Sequence, residues 1–319
     1  MKEISGRESL GGALTKADES NIRELRELYA DYAQGRTELD AVIKSRLKTV
    51  LAPEDRIHVY PEDAEASRLI MKVRDERTGR QEFVYHVQRA YELLFRFAYL
   101  DNASSLRSAE VRTPVGTATH TLPDVSQALQ DTVLCVMLRG ALLPSMVIGK
   151  EIEDYASVTC PYALFRVKRD ETRGEKDMRY LLDLDRSYFT AEAMDGKDLV
   201  FADPMNATGG SFITIVRYLE RNGVKPRSIK FLNLIAALEG LLCVARSCPE
   251  AEVWTFWADP CLNSKAYILP GLGDAGDRLN GPDEKGKERN LVQLIADYGP
   301  DIVTLYRNQV REIEKTILP

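Results

Sequence analysis

The run from Leu199 to Ser211 reads Leu-Val-Phe-Ala-Asp-Pro-Met-Asn-Ala-Thr-Gly-Gly-Ser: an apolar strand, one carboxylate, then a turn of small residues that opens a helix. Asp203 falls at the end of the strand, at the edge where open α/β sheets bind ligands, and its oxygens can accept from sugar hydroxyls. Gly209 and Gly210 let the backbone fold close around an anion. Thr208 and Ser211 add hydroxyl donors, and the free N–H groups and dipole of the helix start favour negative charge. The chemistry implied is capture of the phosphate of a small phosphorylated ligand. Taken alone, the segment also fits an ordinary glycine-rich strand–helix turn.

Strands and helices must alternate around this turn to place it. Thr132–Leu138 reads as a buried strand, followed by a helix over Leu142–Glu153; Ser157–Phe165 is a further strand candidate. Asp198–Ala202, Ser228–Ala236 and Ala251–Trp257 are strands, with helices at Gly210–Arg221 and Glu239–Ser247 between them. This alternation predicts an α/β fold with a mostly parallel sheet covered by helices on both faces. Arg166–Arg186 is polar, with too few apolar residues to pack on both faces.

Upstream, Phe83, Val87, Ala90, Tyr91, Leu94, Phe97 and Ala98 form one apolar face of a helix over Gly79–Tyr99, with Thr78 and Gln81 as a capping-box pair. Ile22, Leu25, Leu28, Tyr29 and Tyr32 recur at helical spacing, and a second helix over Leu39–Leu51 ends before Pro53; both read as peripheral. After Pro282 the chain offers two more amphipathic helices, carried by Leu291, Leu294 and Ile295, then by Ile302, Leu305 and Ile313. The domain reading is a helical N-terminal extension over 1–65, the α/β domain over 66–281 and a helical C-terminal extension over 282–319.

The 319 residues carry a net charge of −6, which argues against a nucleic-acid backbone as the main partner. No apolar run approaches the roughly 20 residues that span a bilayer, and the opening MKEISGRESLGG has no apolar core of a secretory signal. Five cysteines without a CxxC spacing and three histidines make a zinc site a poor reading; buried reduced thiols in a cytoplasmic protein fit better.

The phosphate turn is paired with a second motif some sixty residues on, Tyr267-Ile268-Leu269-Pro270-Gly271-Leu272-Gly273-Asp274-Ala275-Gly276-Asp277-Arg278. Together the two motifs resemble the uracil phosphoribosyltransferase family. Ala236–Gly240, Arg74–Thr78 and Arg112–Gly116 agree with it, and the resemblance runs from roughly Ala66 to Asn280. It implies the phosphoribosyltransferase-type fold and transfer of phosphoribose from 5-phosphoribosyl-1-pyrophosphate to N1 of uracil, giving UMP and pyrophosphate. It also implies Mg²⁺ carried with the pyrophosphorylated sugar, and self-association at least to a dimer.

By the same resemblance, Met205 and Ala207–Ser211 hold the 5′-phosphate and Asp203 the ribose hydroxyls. Arg139, directly after the strand Thr132–Leu138, and Arg169, on a segment that closes over the substrate, meet the pyrophosphate. Tyr267, Ile268, Gly273 and Asp274 form the uracil side, with N–H groups near Gly273 and the Ile268 carbonyl matching the acceptor–donor–acceptor edge of the base. Asp203, Arg139 and Arg169 are the catalytic candidates. Asp277 and Arg278 are ligands or a local ion pair, and Arg112 contacts phosphate or lies on the surface.

Four features depart from the family pattern. Arg139-Gly140-Ala141 transposes its Arg-Ala-Gly, Asn206 replaces a small apolar residue, Asn280-Gly281-Pro282 replaces Phe-Gly-Thr, and Phe165-Arg166-Val167-Lys168-Arg169 is richer in cations. Another base therefore stays open. So does a second function class: a sensing or regulatory protein that keeps the phosphoribosyl pocket with little or no turnover.

Overall fold

An apolar run with no polar alternation can only be buried in a strand covered on both faces, and each such run here becomes one. The computed structural model describes residues 3–5, 13–101, 107–114, 119–169 and 180–281. The N-terminal part forms β1 (Glu3–Ser5), α1 (Lys16–Ala33), α2 (Leu39–Leu51), β2 (Ile57–Val59), α3 (Ala64–Arg74), α4 (Arg80–Tyr99), β3 (Arg107–Arg112) and β4 (Thr119–Asp124). Next come α5 (Ser126–Leu129), β5 (Thr132–Leu138), α6 (Leu142–Ala156), β6 (Tyr162–Arg169), β7 (Tyr180–Asp183), β8 (Asp198–Asn206) and α7 (Gly210–Arg221). The remainder is β9 (Ser228–Ala237), α8 (Leu238–Ser247), β10 (Ala251–Asp259), β11 (Cys261–Leu262), β12 (Ile268–Leu269) and α9 (Ala275–Asn280).

Eight strands form one sheet in the order β1-β7-β6-β5-β8-β9-β10-β2. The six strands from β6 to β2 run parallel, and β7 and β1 are antiparallel additions at one edge. Helices cover both faces. Leu25 of α1, Leu47 of α2, Phe212 of α7 and Leu241 of α8 pack on one side with Phe165, Phe201 and Phe231 of the sheet. Leu69 of α3, Tyr91 and Leu94 of α4 and Ile148 of α6 pack on the other with Val200, Leu232 and Phe256.

The first helices are less peripheral than their spacing suggests. Leu25 is fully buried, and Ile43, Leu47, Val50 and Leu51 join the same core. β2 extends the sheet by pairing Ile57–Val59 with Val253–Thr255. The capping box lies at Thr15 and Asp18 on α1, where each side chain accepts from the other's backbone N–H. The expected pair at Thr78 and Gln81 does not form: Gly79 caps α4, and the Thr78 hydroxyl donates to the Lys72 carbonyl.

Two strand boundaries differ from expectation. Ser157 ends α6 in the left-handed region at φ 52°, so β6 starts only at Tyr162. Its far end continues to Arg169 because β7 pairs with it, Val167 against Leu182 and Lys168 against Leu181. The hairpin β3–β4 had no sequence signal, since it carries no apolar run and exposes its few apolar residues, Val111 and Leu122 among them. The helices expected after Pro282, and the expected closing segment beyond Arg169 with the Arg169 side chain, lie outside the described residues. All five cysteines are buried and outside any disulfide. No described helix is long and apolar enough to cross a membrane.

Candidate active site

β5 and β8 are parallel neighbours, so the segments that follow them emerge at one edge of the sheet. At the end of β8, the Met205 N–H donates to Asp203 Oδ1 at 2.9 Å, which aims the carboxylate along the edge. Behind it, the buried Asn233, opposite Asp203 in β9, donates to the Asp203 carbonyl at 3.3 Å. Burial pushes the Asp203 carboxyl up to about 7; the Met205 N–H opposes this and the charge of Asp274 adds to it. This is a half-buried carboxylate with no cation beside it among the described residues, which strengthens its hold on a proton.

The turn itself is tightly built. Gly209 has φ 74° and caps α7 in the left-handed region. A Cβ at Gly210 would overlap the Tyr180 ring, so that position must be glycine for the ring to lie on it. The Tyr180 hydroxyl is 2.5 Å from Thr208 Oγ1, which also accepts from the Gly210 N–H at 3.3 Å. Tyr180, at the start of β7, thus pins the threonine that the sequence singles out. Sequence reasoning missed it, because nothing local to Tyr180 points to a turn 28 positions away.

A cavity of about 300 Å³ opens between this turn and the loop that follows β11. Tyr180, Asp203 and Met205–Ser211 line one wall; Ala266, Tyr267, Gly273 and Asp274 line the other. Met137, Val167, Phe212 and Phe231 supply apolar surface between them. That volume lies at the small end of ligand pockets, and its few convergent polar groups are what such pockets use to orient a ligand. Tyr267 is 43% exposed on this wall.

The loop opposite the turn is held from behind. Asn263 Oδ1 accepts from the Lys265 and Tyr267 N–H groups, and Asp259 Oδ2 accepts from the Gly271 N–H at 3.1 Å. Arg74 pairs with the other oxygen of Asp259, which explains one residue of the Arg74–Thr78 motif. Arg278 is an internal tie, donating to the carbonyls of Val73, Leu272 and Asp75 with its guanidinium 4.0 Å from the Phe83 ring centre. Asp274 lines the cavity and caps α9, accepting from the Asp277 N–H at 2.9 Å.

Two expected contacts lie elsewhere. Ile268 is buried with its carbonyl turned against Gly271, and it does not line the cavity. Arg139 follows a cis peptide bond after Leu138, and its Nη2 pairs with Asp277 Oδ1 at 3.3 Å. Its buried Nη1 has no partner among the described residues, and the side chain stands outside the cavity wall. Arg112 lies exposed on the β3–β4 hairpin. Asn206, where an apolar residue was expected, is buried with neither amide atom paired among the described residues. An unpaired amide costs about 1–3 kcal/mol, and this one belongs to a residue that lines the cavity between Met205 and Ala207.

A helix N-terminus and a strand-end carboxylate facing a glycine-rich loop across the carboxyl edge of a parallel sheet define a phosphate-binding α/β protein. Residues 61–281 match the sequence model of a family described as uracil phosphoribosyltransferase. A uracil phosphoribosyltransferase of Dictyoglomus thermophilum is 33% identical over 222 residues, 66% of this chain and 93% of that protein. One of Campylobacter fetus is 35% identical over 207 residues, 65% of this chain and 89% of that protein. A solved structure, the AQ2163 protein of Aquifex aeolicus, aligns with TM-score 0.55 and 25% identity over 70% of this chain and 98% of its own. The chain belongs to the uracil phosphoribosyltransferase family.

Proposed function

We propose that the chain transfers phosphoribose from 5-phosphoribosyl-1-pyrophosphate to N1 of uracil, releasing pyrophosphate and giving UMP. The observation that carries this is the single cavity with the phosphate turn on one wall and the Tyr267–Asp274 loop on the other. The 5′-phosphate sits on the N–H groups of Thr208–Ser211, with Thr208 and Ser211 donating. Asp203 accepts from the ribose hydroxyls and its negative charge favours the electron-poor sugar as the C1–oxygen bond breaks. The leaving pyrophosphate keeps that electron pair, uracil N1 bonds to C1, and its N1 proton is released. Positioning and charge stabilisation supply most of the rate in such a reaction.

Among the described residues no three His, Cys, Asp or Glu side chains converge on a metal position. Asp203 and Asp274, the two carboxylates on the cavity wall, fit a Mg²⁺ that arrives with the pyrophosphorylated sugar, because its charge would offset their repulsion. Bound there, the ion would neutralise charge on the leaving group. Arg139 reaches the pyrophosphate only after leaving Asp277, and Arg169 stands one strand further along the sheet edge.

Self-association, at least to a dimer, is supported by the two-stranded ribbon β3–β4, which exposes Val111 and Leu122; an isolated ribbon of this kind is marginal without a partner. Buried thiols outside any disulfide support a cytoplasmic setting. A second reading, a sensing protein that binds the phosphoribosyl group with little turnover, is favoured by one observation, the pairing of Arg139 with Asp277 outside the cavity. Incubation with 5-phosphoribosyl-1-pyrophosphate, Mg²⁺ and labelled uracil separates the two. Labelled UMP supports the enzyme, whereas binding of ribose 5-phosphate without UMP supports the sensor.

A further inference from the structure

Helices α1 and α2 and strand β2 precede the segment that matches the family, residues 61–281. They nevertheless grip α8 at both ends. At its far end, Arg246 is bridged by Asp18 of α1 at 3.0 Å and by Glu54 at 2.5 Å, and Arg56 donates to the Ala245 carbonyl. At its first turn, Arg26 of α1 donates from Nη2 to Glu239 Oε1 at 2.8 Å. The same oxygen accepts from the Leu262 N–H at 3.0 Å.

Leu262 is joined to the cavity wall through the hairpin backbone. It pairs with Ile268 across the β11–β12 hairpin. Its neighbour Asn263 exchanges backbone and side-chain hydrogen bonds with Tyr267. Ala266 and Tyr267, at the hairpin tip, line the cavity opposite the phosphate turn. We propose that Arg26 is a positioning residue for the base side of the cavity, acting through Glu239 on the backbone of Leu262.

The physical reason lies in the carboxylate. Glu239 is only 5% exposed, and burial raises its pKa while Arg26 and the Leu262 N–H lower it. An ionised carboxylate makes a shorter and stronger hydrogen bond than a neutral one. Arg26 is the cation paired with Glu239 and shares its Oε1 with the Leu262 N–H. Without that cation the carboxylate is no longer held in place against Leu262, which loosens the first strand of the hairpin. The phosphate turn has its own hydrogen bonds, through Tyr180, Thr208 and Met205, and meets α8 at Gly240 rather than at the Glu239 side chain, so loss of the Leu262 hydrogen bond falls chiefly on the hairpin wall.

This inference rests on the reading that the cavity binds a phosphoribosyl group and a base, and the experiment separates the two. Steady-state kinetics of Arg26→Met with both substrates varied is expected to give a uracil KM raised about tenfold, a donor KM within about twofold and a restored uracil KM in Arg26→Lys. Calorimetry is expected to show weaker UMP binding and unchanged ribose 5-phosphate binding. Glu54→Gln, which breaks the grip at the other end of α8, is the control: a lower Tm with unchanged KM values. Glu239→Gln should raise the uracil KM as well, and adding Arg26→Met to it should change little further, which keeps a test available if the first variant does not fold.

Arg26→Met raising both KM values in proportion, or neither, overturns the proposal. So does Glu54→Gln raising the uracil KM as much as Arg26→Met. Wild-type protein that binds both UMP and ribose 5-phosphate, beside an Arg26→Met that binds UMP equally well, overturns this inference alone. Wild-type protein that binds neither sinks the functional reading and this inference with it.

Discussion

Asp203–Ser211 and Arg139–Ala141 follow neighbouring strands, β8 and β5, at the same edge of the sheet. In the first, the carboxylate is aimed by the Met205 N–H, Thr208 is pinned by Tyr180, and the helix start faces the cavity. In the second, the one cation is tied to Asp277 and is not part of the cavity lining, with Nη1 buried and unpaired among the described residues. The phosphate wall is complete before any ligand arrives; the leaving-group side has to exchange one counter-ion for another. That division suits a transferase. The sugar phosphate must be located before reaction, while the pyrophosphate must be able to leave.

The largest effect should come from the finished wall. Asp203→Asn removes the charge facing the ribose and should lower turnover by about 10²–10³-fold, measured as UMP formed at saturating substrates. The same variant should be more heat-stable than wild type at pH 8. With the Asp203 carboxyl raised from 3.8 to about 7, the folded chain holds this proton more tightly than the unfolded one. Ionising it therefore removes stability as pH rises from 3.8 to about 7. The gain in Tm for Asp203→Asn should shrink as pH is lowered through that window, and a constant gain at all pH values would contradict the assignment. For the same reason, kcat/KM of the wild type should fall as pH drops below about 7.

The unfinished side should respond next. Arg139→Ala should weaken pyrophosphate and the intact donor about 10–100-fold while changing UMP affinity little. Equal loss for all three ligands would make Arg139 structural and erase the contrast between the walls. Tyr180→Phe should raise the donor KM by about three- to tenfold, one hydrogen bond to the threonine being lost, and leave the uracil KM unchanged. The smallest effect sharpens the comparison most: Asp277→Asn frees Arg139 and should tighten pyrophosphate binding by about two- to fivefold. Weaker binding in that variant would mean that Asp277 orients the arginine for the ligand instead of withholding it.

Much of the fold was legible because a parallel sheet buries both faces of its strands. Thr132–Leu138 and Ser228–Ala237 carry that requirement in their own residue types. The phosphate turn was legible for a related reason, since strand, carboxylate, glycines and helix start are consecutive in sequence. What escaped depends on partners far along the chain. Arg139 meets Asp277 across 138 positions, Tyr180 meets Thr208 across 28, and Arg26 meets Glu239 across 213. Arg139 carries a charge that either pyrophosphate or Asp277 could satisfy, and residue type alone does not choose between them. The β3–β4 hairpin escaped because its strands bury little, so no hydrophobic period marks them.

One measurement bears most directly on the two-walled cavity. The full chain is mixed with 5-phosphoribosyl-1-pyrophosphate, Mg²⁺ and labelled uracil, with labelled cytosine in a parallel reaction, and nucleotide and pyrophosphate are both quantified. The account predicts UMP and pyrophosphate formed in equal amounts from uracil and no product from cytosine. Absence of UMP from a chain that still binds ribose 5-phosphate would contradict it.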